Sequence, residues 1–179
     1  MAAQTTFQYS RGLTLIELLV TLSLIIILTL LAVPSFNNVL HKNRPEVALK
    51  QIKRQIFLSR GYAITHDKYI SFCGLVQNKC HKDLWHESLT SFVDTNRNHV
   101  LDGDEEVLYV IDRINIQDEL SYPRHAITFK PDGSLKGLAN GTFVYCAFDL
   151  EGKPTGLEMS INNAGRARMR DTRKCKERI

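Results

Sequence analysis

Charge is almost missing from one long stretch of this sequence. From Leu13 to Val33 the only ionisable side chain is Glu17. At 1.5 Å per residue, a helix of that length measures about 32 Å, enough to cross the hydrocarbon core of a bilayer. Acidic residues are also absent from residues 1–12, where Arg11 supplies a positive charge. That flank keeps the N-terminus cytoplasmic under the positive-inside rule, although Lys42 and Arg44 beyond the apolar run weaken the asymmetry. No tight Cys-x2-Cys pair occurs, and Cys73 and Cys80 are seven positions apart, which disfavours zinc. Phosphate-binding glycine loops and nucleophile motifs are missing too. Nothing of that kind accompanies the scattered His41, His66, His81, His86, His99 and His125. The expectation is a protein that is not an enzyme, with no catalytic residue, cofactor or metal. Repeats and low-complexity segments are lacking, and 179 residues with 44% apolar composition suit one domain.

What is present begins with Glu17. A carboxylate inside an apolar span costs roughly 2.5–3.5 kcal/mol on insertion scales, so it marks a functional position. Pro34 ends the run and is expected to kink or interrupt the helix, with Asn37-Asn38 and Pro45 as further weak points. Beyond them Leu49, Ile52, Ile56 and Ala63 fall at helical spacing and predict a buried stripe. Lys50, Lys53, Arg54 and Arg60 fall mainly on the polar side, as a solvated face rather than a DNA surface. After Gly61 the period shortens. Strands are predicted at Tyr69–Val76, Leu89–Val93, Val107–Ile111, Ile114–Leu120, Ala126–Phe129, Phe143–Phe148 and Leu157–Ile161. Pro131-Asp132-Gly133 and Asn140-Gly141 are turn signals, the second suited to a hairpin. A helix followed by many antiparallel strands is an α+β arrangement.

Asp94, Asn96, Asn98, Asp102 and Glu105 occupy offsets 1, 3, 5, 9 and 12 of a calcium loop, and Val100 could offer its carbonyl. His99 stands where that loop needs glycine for its sharp turn, and strands flank it instead of helices. A polar turn that bonds its own backbone explains the same residues without a metal. The four cysteines, Cys73, Cys80, Cys146 and Cys175, all follow the apolar run. An even count in a translocated domain suits two disulfides, with three pairings open.

The string Gly12-Leu13-Thr14-Leu15-Ile16-Glu17-Leu18 resembles the N-terminal signal of type IV pilins and type II secretion pseudopilins. An ordinary secretory signal has no Glu in its apolar core; that signal and a plain anchor are the alternatives. The resemblance implies cleavage by prepilin peptidase between Gly12 and Leu13, methylation of the new N-terminus, and Glu17 at the fifth mature position. Leu13 replaces the usual Phe. Further on, Cys73, Gly74, Cys80 and Trp85 precede the Asp94-Thr95-Asn96 turn and Glu106-Val107-Leu108. Then come Ile127 to Gly133, Asn140 to Phe143, Cys146, and Ile161 to Arg168. This order is similar to the GspH/FimT group of minor pilins over nearly the whole chain. It implies a pilin-like fold, with a long N-terminal helix, transmembrane in its first half, packed on antiparallel β-sheets. The expected segments are a leader (1–12), a transmembrane helix (13–33), its periplasmic continuation (34–64), a β-rich domain (65–164) and a basic tail (165–179). The expected location is the bacterial inner membrane, single-pass with the domain periplasmic, and then a type IV pilus among other pilins.

The tail carries seven basic side chains against Asp171 and Glu177, a net +5 in fifteen residues. If extended, Arg166, Arg168 and Arg170 project on one side about 6.6–6.8 Å apart, close to the spacing of phosphates along a nucleic-acid strand. Guanidinium groups offer forked donors to phosphate. Gly165 leaves the backbone free to turn or to approach a ligand closely. Gly165-Arg166-Ala167-Arg168 matches the Gly-Arg-x-Arg tail of FimT-type minor pilins that bind DNA in naturally transformable bacteria. By that resemblance Arg166 and Arg168 contact phosphates of double-stranded DNA, supported by Arg170, Arg173 and Lys174. A Cys146–Cys175 bridge would pin this tail and leave Cys73–Cys80 as a short loop. The competing function is a structural minor pilin or GspH-like secretion pseudopilin, in which Glu17 pairs with a neighbour's methylated amine and no DNA is bound.

Overall fold

The computed structural model describes residues 14–149 and 151–177, with the backbone alone for residues 31–39. The expected cleavage positions, Gly12 and Leu13, lie outside the described residues. One helix, α1 (Leu15–His66), precedes nine strands, and the chain divides into two compact units at Val39/Leu40.

In the first unit, Thr14 caps the helix: its Oγ1 accepts the Glu17 amide at 3.3 Å. Thr14-x-x-Glu17 is therefore a capping-box sequence as well as a motif. The hydroxyls within the apolar run satisfy themselves. Thr21, Ser23 and Thr29 donate to the carbonyls of Leu18, Val20 and Ile26 at 2.8–2.9 Å. Such internal bonding is what an apolar medium requires. Large apolar side chains from Leu15 to Leu30 are exposed. Among the described residues no helix is long and apolar enough to cross a membrane. The stretch expected to do so includes Leu13 and the side chains of residues 31–33, which lie outside that description.

Neither proline ends α1, contrary to the expected interruption. A proline removes one amide donor, while the turns on either side keep theirs. In the second unit, Leu49, Ile52, Ile56 and Ala63 are all within 1% of full burial, so the expected stripe is the helix's contact with the core. Ser59 and Gln55 both bond Ser91 Oγ, at 2.6 and 3.3 Å, which ties the helix to the first sheet. Arg44 donates to Asp118 at 3.1 Å and to the Phe148 carbonyl at 2.9 Å, tying it to the second.

The first sheet runs β2 (Lys79–Cys80), β1 (Ile70–Val76), β3 (Leu89–Val93), β4 (Val107–Ile111). Its fifth strand, β6 (Ile127–Phe129), shares the β2 side of β1, at residues Ile70 to Phe72. The second sheet runs β5 (Glu119–Ser121), β7 (Gly141–Phe148), β8 (Pro154–Ile161), β9 (Ala167–Asp171), all antiparallel. Trp85 is 1% exposed, donates to the Arg124 carbonyl at 2.7 Å and meets Phe72, Tyr122 and Phe143 edge-on. Truncating it to alanine is expected to cost about 3–5 kcal/mol, read as a fall in the urea midpoint.

Three local expectations change. The strand predicted at Ile114–Leu120 is only Glu119–Ser121, because Asn115 takes the Gln117 amide at 2.9 Å and turns the chain. Asn140-Gly141 joins different sheets instead of closing a hairpin. A Cβ at Gly141 would stand 2.7 Å from Pro123, so packing rather than a two-residue turn demands glycine. The expected tail forms β9, since its alternating Ala167 and Met169 bury one face. The 94–105 loop is the expected polar turn. Asp94 Oδ1 accepts the Asn98 amide (3.0 Å), Asn98 Oδ1 accepts Val100 (2.7 Å) and Glu105 accepts Thr95 (2.8 Å). Among the described residues no group of three or more metal-ligating side chains forms.

Candidate nucleic-acid interface

The basic site is built on a hairpin whose turn is Asn162 to Arg166. Gly165 donates its amide to the Asn162 carbonyl at 2.9 Å, and Arg166 donates to Asn162 Oδ1 at 2.9 Å. Gly165 sits at φ +71°, and a Cβ there would approach Arg60 and Phe129 to 3.1 Å. Glycine is needed both for the left-handed backbone and for the space. Arg60, expected on the solvated face, is half-buried here and donates to the Gly133 carbonyl at 2.8 Å. Gly133 itself turns at φ +74° in the Pro131-Asp132-Gly133 segment.

β9 then pairs with β8, Ala167 opposite Ile161 and Asp171 opposite Leu157. Ala167 and Met169 pack toward the core, so Arg166, Arg168 and Arg170 alternate with them and are exposed. The expected side-by-side display of three arginines is present. Their electrostatic situations differ. Arg170 Nε contacts Glu158 Oε1, Lys174 Nζ lies 2.9 Å from Glu158 Oε2, and Thr172 Oγ1 donates to the same oxygen at 3.2 Å. The Glu158 carboxylate is 5% exposed. Two of the expected phosphate-binding charges thus neutralise a buried acid. Among the described residues no carboxylate pairs with Arg166, Arg168 or Arg173. These three stay available to an external anion.

Glu158 was not among the candidate residues read from the sequence. Its signal was faint: the one charged residue of strand β8. Lys174, Arg170 and Thr172 stabilise the charged carboxylate and, against the opposing effect of burial, hold it below the usual carboxylate range. A depressed folded-state value means the unfolded chain binds the proton more readily. The stabilisation is therefore present above the ordinary carboxylate pKa and is lost as pH falls through the folded one. Glu158→Gln should lower stability at pH 7 and flatten the acid limb of a melting-temperature profile between pH 3 and 7. It should also free Arg170 and Lys174.

Cys175 closes a disulfide to Cys146 of β7, with Cα atoms 5.6 Å apart, and Cys73 closes one to Cys80. The chain after β9 therefore passes back over the sheet. Gly156 allows the crossing, because a Cβ there would collide with the Cys175 sulfur. At the other terminus Glu17 is exposed in the first turn of α1, 3.3 Å from Thr14 Oγ1 through its amide. Of the histidines, His99 and His125 come together, ring nitrogens 2.9 Å apart.

A helix packed on two antiparallel sheets, with two disulfides and an apolar first turn bearing one acid, is a pilin-like fold. The chain belongs to the family of type II transport protein GspH, whose model matches residues 48–165. A prokaryotic N-terminal methylation motif matches residues 8–33. The minor pilin FimU of Pseudomonas aeruginosa shares the fold at TM-score 0.52 and 20% identity, over 72% of this chain and 89% of that one. The minor pseudopilin EpsH of the Vibrio cholerae type 2 secretion system aligns at TM-score 0.47 and 11% identity, over 72% and 97%. No curated protein matches. These matches place the chain in the GspH/FimT group without singling out the FimT branch.

Proposed function

We propose that this chain is a minor type IV pilin that binds extracellular double-stranded DNA without sequence preference and supports DNA uptake in natural transformation. The observation that carries this reading is the β9 edge: Arg168 on the strand and Arg166 in the turn just before it are exposed, with no carboxylate partner among the described residues. Prepilin peptidase would cut between Gly12 and Leu13. Residues 13–33 would anchor the chain in the inner membrane, with the domain in the periplasm until it joins a pilus. Phosphate contacts position a protein but carry no base information. Unrelated duplexes of equal length should therefore compete equally for the full chain in detergent micelles. Strong preference for one sequence would count against the reading.

A second reading is favoured by the other end of the molecule. The methylation motif and Glu17, exposed in the first turn of an apolar helix, suit a structural subunit of a pilus or secretion pseudopilus. A partner's N-terminal amine would offset the cost of burying the Glu17 carboxylate. The two readings separate when Arg166 and Arg168 are replaced: only the DNA-binding reading predicts a lower affinity of the chain for a duplex.

A further inference from the structure

We propose that the free edge of β4 accepts the β9 edge of a second copy as an added antiparallel strand. The first sheet ends at β4 and the second at β9. Both strands are five residues long, Val107–Ile111 and Ala167–Asp171. The first is an apolar edge with Val107, Tyr109 and Val110 exposed at 44%, 37% and 57%. An apolar, uncharged edge is a template for pairing with another chain unless something covers it.

Charge selects the occupant. β4 is preceded by Asp104, Glu105 and Glu106 and followed by Asp112 and by Arg113, which pairs with Glu87; β9 starts after Arg166, carries Arg168, Arg170 and Asp171 and is followed by Arg173. Antiparallel pairing with Tyr109 opposite Met169 sets Asp112 beside Arg166. The same register sets Val110 beside Arg168, whose stem covers apolar surface while its head stays in water. Opposite charges meet at the Asp112 end, Tyr109 and Met169 meet in the middle, and Arg170, opposite Leu108, keeps its charge on Glu158. Two β4 edges would instead bring acids together.

The contact joins two different surfaces, so it is head-to-tail: it builds a ring where the rotation closes and a filament where it does not. One short strand binds weakly in solution. Subunits held in a common assembly meet at millimolar effective concentration, where a weak contact suffices. The inference is independent of DNA binding, although both use β9, so a duplex and a second copy should exclude each other.

The test uses full chains in detergent micelles. Among the described residues no cysteine is free, so introduced thiols report alone. A Val110→Cys chain mixed with an Arg168→Cys chain should be joined by a short bis-maleimide about tenfold faster than Val110→Cys mixed with Leu138→Cys, the gain expected from a held encounter. Leu138 is 74% exposed and far from both edges in sequence, so it reports random collision. Asp112→Arg on the first chain should slow coupling roughly threefold to fivefold, the scale of an exposed ion pair, and Arg166→Asp on the second should restore it. Coupling no faster than the Leu138 control overturns the proposal. So does preferential joining of two Val110→Cys chains.

Discussion

Replacing Arg166 and Arg168 together by alanine is expected to weaken duplex DNA binding roughly 60-fold at 0.1 M salt relative to 1 M. The figure follows from about 0.9 units of log K per neutralised phosphate for each decade of salt, taken over two phosphates. The slope of log K against log salt should flatten from about −2.7 to about −0.9, leaving Arg173. The starting value is smaller than the basic tail suggests, because Glu158 holds Arg170 and Lys174. Glu158→Gln should move the slope the other way, toward about −4.5, by returning two cations to the surface. Fluorescence anisotropy across a salt series reads all three chains. Both arginines are exposed, so their loss should leave the urea midpoint nearly unchanged. A fall in affinity with an intact fold is thus assignable to charge.

Replacing Cys146 and Cys175 together by serine should have the larger effect on stability. The sequence separation is 29, and closing a loop of that size is worth about 3–4 kcal/mol in the chain-entropy model. DNA affinity should also fall, by up to about tenfold, because the arginines must then be ordered on binding. The salt slope should stay near its parent value, since no charge is removed. The pair of experiments separates what the bridge does from what the arginines do: one changes affinity at constant slope, the other changes both. Urea titration alongside the salt series checks both expectations.

The elements easiest to read in the sequence were those with an uninterrupted period. Leu49, Ile52, Ile56 and Ala63 gave the buried face of α1, and Leu89–Val93 and Val107–Ile111 are strands at the expected bounds. Failures came where one residue's local chemistry outweighed its neighbours' pattern. Asn115 turned an apolar segment into a loop, and Pro45 sat inside a helix that continued past it. β9 was the most consequential omission. Its basic composition reads as a solvated tail, and only Ala167 and Met169 among the arginines reveal a strand with a buried side. Glu158 was illegible for a related reason: its partners lie twelve to sixteen residues away, and pairing β8 with β9 is what joins them. A count of tail charges therefore overstates the site. Once the acid is seated, three of the five expected cations face outward unpaired among the described residues.

The most direct test is the salt dependence of duplex binding by the full, unaltered chain between 50 and 200 mM salt, a range over which phosphate contacts change affinity steeply. If β9 and its two flanks present Arg166, Arg168 and Arg173 while Glu158 retains Arg170 and Lys174, the slope should lie near about −2.7. Absence of binding, or a slope near zero, would contradict the nucleic-acid interface itself.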